Sequence, residues 1–196
     1  MRELIIKKGK HICYNDNMGF KFGSVINHSF EFTKDTIYDL NNSDQYDWCK
    51  LFGFTDCLLP RFKVLNTEDG RVNTCDFKIK ILNRYVAFFR PVHWQSARFV
   101  WRWNIDKQTF ESTSYCYIKG VRTYDDIIFN IPLNKGFDFK ITKTFNNYYF
   151  TSWMGNIKIF DKVESAKQKT KPYGYYLGFF FGGNQSTPKE IKIKKW

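Results

Sequence analysis

Apolar and polar residues alternate along most of this chain. Ala97 to Trp103 sets Ala97, Phe99, Trp101 and Trp103 on one face and Arg98, Val100 and Arg102 on the other. Asp76 to Leu82 does the same with Phe77, Ile79 and Ile81 against Lys78 and Lys80, and Ser29 to Thr33 reads polar, Phe, Glu, Phe, Thr. A period of two over five to seven residues marks a strand with one face buried. Phe137, Phe139 and Ile141 alternate with Asp138, Lys140 and Thr142, and Ile191 and Ile193 with Lys192 and Lys194. Arg84 to Arg90 is a near-continuous apolar run closed by Pro91, Phe110 to Lys119 ends at Gly120, and Val121 to Tyr124 and Ile127 to Ile131 supply one or two more strands. Asn146-Asn147 predicts a hairpin turn into Tyr148 to Trp153, and Gly155-Asn156 a second into Ile157 to Phe160. Tyr173 to Phe181 is apolar and aromatic around Gly174 and Gly178. Two stretches break the rhythm. Tyr38 to Pro60 is rich in Asn, Asp and aromatics, with a short helix expected around Asp44 to Leu51, and the polar, basic Asp161 to Pro172 is expected as a long loop or brief helix.

Ten or more short strands with turn signals between them predict an all-β fold: a two-sheet antiparallel β-sandwich of the jelly-roll or concanavalin-like kind, with few short helices. No shift in composition marks a boundary, so residues 1–196 are expected to form a single domain. Composition sharpens this. Aromatic residues make up 20% of the chain, which favours pleated, half-buried surfaces, while Ala, the best helix former, is rare.

Charge changes the picture further. With 31 Lys and Arg against 19 Asp and Glu, the formal charge is +12, a surplus that attracts nucleic acid, acidic membranes or an acidic protein surface. The same surplus also keeps an aromatic-rich protein dispersed and its strand edges unpaired. The five Cys include no CxxC pair, which suits reduced, buried thiols in a cytoplasmic protein. The first ten residues do not read as a signal peptide, no apolar stretch is long enough to span a bilayer, and no membrane partner is expected.

Catalytic chemistry finds little footing. None of the three His lies in HExxH or beside a GxSxG elbow, and His11 with Cys13 is too few ligands for zinc. Glu68-Asp69 and Asp125-Asp126 read as turn carboxylates, and Gly182-Gly183-Asn184 as a tight turn without the Lys of a phosphate loop. The chain is therefore expected to be no enzyme and to need no metal or cofactor. The sharper signal is the basic strand faces: Arg98 and Arg102, Lys78 and Lys80, Lys192 and Lys194, with Arg84, Arg90 and Trp94 as further candidate residues for binding nucleic acid or a partner. If these strands share a sheet, their cations form one patch, and Trp94, Tyr115 or Tyr117 can stack on bases or sugars. Otherwise each strand simply turns a solvated face outward. Trp94, Trp153 and Trp196 are the candidates for a sugar platform.

Three segments together carry a resemblance: Ser96-Ala97-Arg98-Phe99 running into Trp101-Arg102; Tyr115 to Arg122; and Tyr176-Leu177-Gly178 through Phe179-Phe180-Phe181 to Gly182-Gly183-Asn184, leading past Pro188 to Ile191 and Ile193. Asp44 to Phe54 adds a fourth. From about Asp44 onward the chain resembles uncharacterised lectin-like jelly-roll proteins of Bacteroidota and their phages. It departs from them where Lys189-Glu190 stands in place of their His-Asp pair. The resemblance implies the fold and a phage or mobile-element setting, hence a host-cell cytoplasm, but no established activity. With the charge, it makes a non-enzymatic protein that docks on nucleic acid or a ribonucleoprotein the leading expectation, an inhibitor of an RNA-guided host defence nuclease (anti-CRISPR-like) being one such role. The alternative is a glycan-binding or virion structural module. A hydrolase on the same scaffold ranks last.

Overall fold

A strand with one apolar face must cover it, and here two sheets cover each other. The computed structural model describes residues 1–16, 19–59, 61–65, 77–81, 84–124 and 126–196, with residues 62–65, 77–81, 84, 85, 88 and 89 described by backbone alone. Along the described residues run β1 (Arg2–Ile6), β2 (Gly19–Phe22), β3 (Val25–Phe32), β4 (Cys49–Thr55), β5 (Arg61–Leu65), β6 (Phe77–Ile81), β7 (Arg84–Phe89), α1 (Pro91–Trp94), β8 (Gln95–Asn104), β9 (Thr109–Ile118), β10 (Val121–Tyr124), β11 (Phe129–Ile131), β12 (Gly136–Lys143), β13 (Asn147–Met154), β14 (Ile157–Ser165), β15 (Tyr173–Leu177) and β16 (Ile191–Lys195). The first sheet has the order β1-β16-β3-β12-β13-β14, the second β10-β9-β8-β4-β15-β2, with β11 also pairing β9. Every pairing is antiparallel. The molecule is a jelly-roll-like β-sandwich with few short helices, as the alternation predicts.

The aromatic surplus is largely core. Phe99 of the second sheet has its ring centroid 5.0 Å from that of Phe139 and 5.3 Å from that of Phe150, both of the first. Phe32 meets Phe110 at 4.8 Å and Trp101 at 5.4 Å in the same way. Edge-on and tilted contacts of this kind add to the area term that drives burial.

Two buried polar clasps also tie the sheets. Asp16 accepts hydrogen bonds from Lys195 Nζ (3.0 Å) and Arg2 (2.7 Å) on one oxygen and from Tyr176 Oη (2.9 Å) and the Phe179 amide (3.0 Å) on the other. Lys195 Nζ also donates to Tyr176 Oη at 2.7 Å. Lys195 sits on β16 and Tyr176 on β15, so this one carboxylate joins both layers. In the second clasp Asp56 accepts from Lys143 Nζ (2.8 Å) and Tyr148 Oη (2.8 Å), and Gln95 Nε2 donates to Tyr148 Oη at 3.0 Å.

Several expectations need correcting. The helix expected around Asp44 to Leu51 is a single 3-10 turn, Ser43–Tyr46, and β4 follows at once. Cys49, Leu51, Phe52 and Phe54 of β4 all belong to the core, and a bulge between Lys50 and Phe52 lets two consecutive apolar residues point inward. Asp161 to Ser165 is not loop but the end of β14, paired with β13 as far as Asn147 opposite Ser165. The segments around Lys78, Lys80 and Arg84 form no part of the two large sheets. With β5 they form a separate three-stranded sheet, β5-β7-β6. Cys13, Cys49, Cys57 and Cys116 are free, buried thiols, and burial pushes Cys49 up to about 11. Cys75, Glu68, Asp69 and Asp125 lie outside the described residues. Among the described residues no helix is long and apolar enough to cross a membrane.

Candidate functional site

Strand register builds a row across the outer face of the second sheet. Tyr124 of β10 lies opposite Tyr115 of β9, Tyr115 opposite Arg98 of β8, Arg98 opposite Gly53 of β4, and Gly53 opposite Leu177 of β15. Strict alternation makes this face a solvated one. Instead α1, the Asp47-Trp48 bend and residues 178–184 stand over it, and Val100, Tyr115 and Tyr117 are buried as a second apolar cluster with Trp48 against it.

What remains open is a groove of two neighbouring parts that share lining residues. The wider part, of about 810 Å³, is bordered by Tyr46, Trp48, Arg122 and Tyr124. The narrower, of about 350 Å³, lies between Val92 of α1 and the Ile12, Leu177 and Phe180 side, with Arg98 at its base. Lys50, His93, Tyr115 and Tyr117 line both.

Glycines permit these close walls. A Cβ on Gly53 would stand 2.1 Å from the Ala97 carbonyl oxygen and 2.7 Å from Cγ of Arg98, so the arginine stem lies where only a bare backbone leaves room. A Cβ on Gly178 would stand 1.8 Å from the Asp16 carbonyl oxygen, and one on Gly182 would stand 2.1 Å from that of Trp48. Gly183 bends the chain with φ of 78° beside Asp47. Phe180 pairs through its backbone with Lys50, which fixes the lysine's wall.

The electrostatics at the base are lopsided. Arg98 is only 9% exposed, and its Nε is buried without a hydrogen-bond partner among the described residues. Burial lowers its proton affinity, and the groups that offset this are Tyr115, Tyr117 and Cys116, none of them a carboxylate. Lys50 Nζ donates to the Trp48 carbonyl at 2.8 Å and lies 5.6 Å from the Tyr115 ring centroid. Its burial, and then the charge of Arg98, bring it down to about 8. Of the nearby acids, Asp47 offsets a small part of the Lys50 shift, and none acts on Arg98 among the described residues. Both oxygens of Asp16 are occupied in its clasp, and Asp47 and Asp126 stand exposed at the rim. Unpaired buried cations are costly and persist where something else requires them.

The Lys50 shift has a measurable sign. An unfolded lysine keeps its proton up to about 10.5, whereas the folded one releases it at about 8. Between these values the unfolded chain holds more protons, so the Lys50 contribution makes stability rise with pH through that window. Lys50→Met is expected to match or exceed the wild-type melting temperature at pH 7, with the difference shrinking toward pH 10.5 in thermal melts.

The residues singled out by alternation are dispersed. Arg98 is at the groove base rather than on a solvated face. Arg102 is committed: it forms an ion pair with Glu111 at 2.7 Å, donates to the Tyr46 carbonyl and stacks 4.3 Å from the Trp48 ring centroid, so it positions the rim. Lys192 and Lys194 lie in the first sheet, beside Glu190 (3.4 Å) and Glu31 (2.6 Å). The strands of Lys78, Lys80 and Arg84 form the small third sheet, and these three side chains lie outside the described residues. The strands β6, β8 and β16 that carry these cations thus belong to three different sheets. Arg90 is exposed at the mouth of the narrower part, and Trp94 is half-buried with its carbonyl accepting from Gly120. Trp153 and Trp196 belong to the first sheet's side, the latter packed near Gly136, so neither joins Trp94 in a sugar platform. His11 and Cys13 are engaged separately, with the Phe181 carbonyl and Asn15.

Sequence reasoning missed Lys50, Arg122, Tyr46, Trp48 and Tyr124. The only hint at Lys50 is the broken alternation of Cys49 to Phe54, where Leu51-Phe52 interrupts it. Comparison with protein-family models, curated proteins and solved structures finds no match for the chain.

Proposed function

We propose that this chain is a binding module without catalysis, and that it takes a single strand of nucleic acid along the groove of the second sheet. One observation carries the reading: Arg98, buried with its Nε unpartnered among the described residues, lines an aromatic-walled groove together with Lys50. A duplex needs a broad basic face, whereas a strand with unstacked bases needs cations for its backbone and rings for its bases. Tyr46 and Tyr124, 37% and 54% exposed, stand where bases would stack. In the phage setting that the sequence resemblance implies, such a module suits an inhibitor that holds the RNA-bearing part of a host nuclease.

The test is fluorescence anisotropy with a labelled 12-nucleotide strand over a salt series. Binding through about three phosphates gives a log–log salt slope of about −2. Tyr124→Ala, at the exposed rim, is expected to weaken binding about tenfold, since stacking contributes roughly 1–3 kcal/mol per base. Binding that ignores both salt and Tyr124→Ala, or no binding, overturns the reading. The rim aromatics also favour a second ligand, a glycan. Binding of neutral oligosaccharides sensitive to Tyr124→Ala, with no response to oligonucleotides, would put the glycan first.

A further inference from the structure

Two cations, Lys50 and Arg98, line the narrower part of the groove together, and the one carboxylate beside them there among the described residues, Asp16, has both oxygens committed to its clasp. Arg98 has an orphaned Nε, and Lys50 spends one hydrogen bond on the Trp48 carbonyl. Both face the narrower part, whose walls include the apolar side chains of Ile12, Val92, Leu177 and Phe180. This is a built arrangement: Gly53 leaves the room that the Arg98 stem occupies, and the β4 bulge turns Lys50 outward while Leu51 and Phe52 turn inward.

We infer that Lys50 and Arg98 form a seat for one terminal phosphate monoester, so that the groove recognises the phosphorylated end of a strand. Charge matching selects the ligand class. Two cations that form no ion pair among the described residues call for a dianion, and a phosphate monoester carries close to two negative charges at neutral pH, whereas an internal diester carries one and leaves a cation unpaired. The planar arginine fork donates to two phosphate oxygens and the lysine, as a point charge, to a third. The wider part, continuous through Tyr115 and Tyr117, then takes the first bases. This inference rests on the nucleic-acid reading only for the body of the ligand, because the phosphate group can be tested alone.

The experiment has two arms. In the first, melting temperatures are recorded in phosphate-free buffer with and without inorganic phosphate. The wild type is expected to rise by several degrees with phosphate, and Arg98→Met and Lys50→Met to lose that rise. Arg98→Met is also expected to melt no lower than the wild type without phosphate, which a merely structural arginine would not allow. In the second, affinities are compared for matched strands carrying a 5′-phosphate, a 3′-phosphate or neither. One phosphorylated form is expected to bind at least tenfold tighter, with the advantage gone in Lys50→Met. Should Arg98→Met fail to fold, Lys50→Met carries both arms. A phosphate effect that survives in the Met variants, or its absence from the wild type, overturns the seat. Equal affinity for all three strands overturns the seat and leaves the nucleic-acid reading standing. Stabilisation by phosphate without binding of any strand supports the seat and overturns that reading.

Discussion

Asp16→Ala is expected to cost about 3–5 kcal/mol of folding stability, because it strands Lys195 as an uncompensated buried cation. Lys195 is only 4% exposed, and burial already lowers its proton affinity. The same substitution leaves the Phe179 amide and the Tyr176 hydroxyl without their carboxylate partner, and Phe179 lies in the segment that walls the groove. Arg2 adds little, since an ion pair with a half-exposed arginine is screened. Urea denaturation checks this as a fall in midpoint at unchanged slope. Adding Lys195→Met should restore a large part of the loss, because it removes the stranded charge. If Asp16→Ala loses under 1 kcal/mol, the clasp is not a tie between the sheets.

Gly53→Ala is expected to cost about 3 kcal/mol and to disable the groove as well. Overpacking in a closed structure typically costs about 1–3 kcal/mol, and the upper end applies where backbone must yield. Here the added methyl would meet the Ala97 carbonyl oxygen at 2.1 Å, so β4 and β8 must part or the ladder must slip. Any relief also moves Arg98, whose Cα and Cγ lie 2.7 Å from the same point. The expected variant folds at low temperature, melts well below the wild type and binds the labelled strand no better than Arg98→Met. A variant that melts lower but binds normally would show that Arg98 tolerates displacement.

The strands were legible where one face is buried and the other polar. β8, β12 and β16 carry their alternation openly, and the Gly155-Asn156 turn is where its residues place it. β4 was not legible, because its bulge sets Leu51 and Phe52 side by side inward and removes the period of two. β1 was missed because a three-residue apolar run has meaning only beside β16, far away in the chain. The site shows a different limit. Alternation put Arg98 opposite Phe99 correctly, but it says which face a residue takes and not what covers that face. The cover comes from α1 and residues 178–184, which line the same groove over β8 only in the folded chain. For the same reason Arg102 read as a free cation, since its partner Glu111 is set by the register of β8 against β9.

The seat lies on the best-anchored part of the sheet. β8 is hydrogen-bonded on both sides, to β9 over ten residue pairs and to β4. The rim rests on lighter supports, a single 3-10 turn under Tyr46 and the four-residue outer strand that carries Tyr124. Amide hydrogens of β8 should therefore exchange with solvent only through the largest openings of the molecule, and those around Tyr46 and Tyr124 through small, frequent ones. A ligand would meet its two cations already in position and lose little affinity to ordering them. Binding would slow exchange mainly in the rim, which closes over bases while the base of the groove keeps the rate it had when empty.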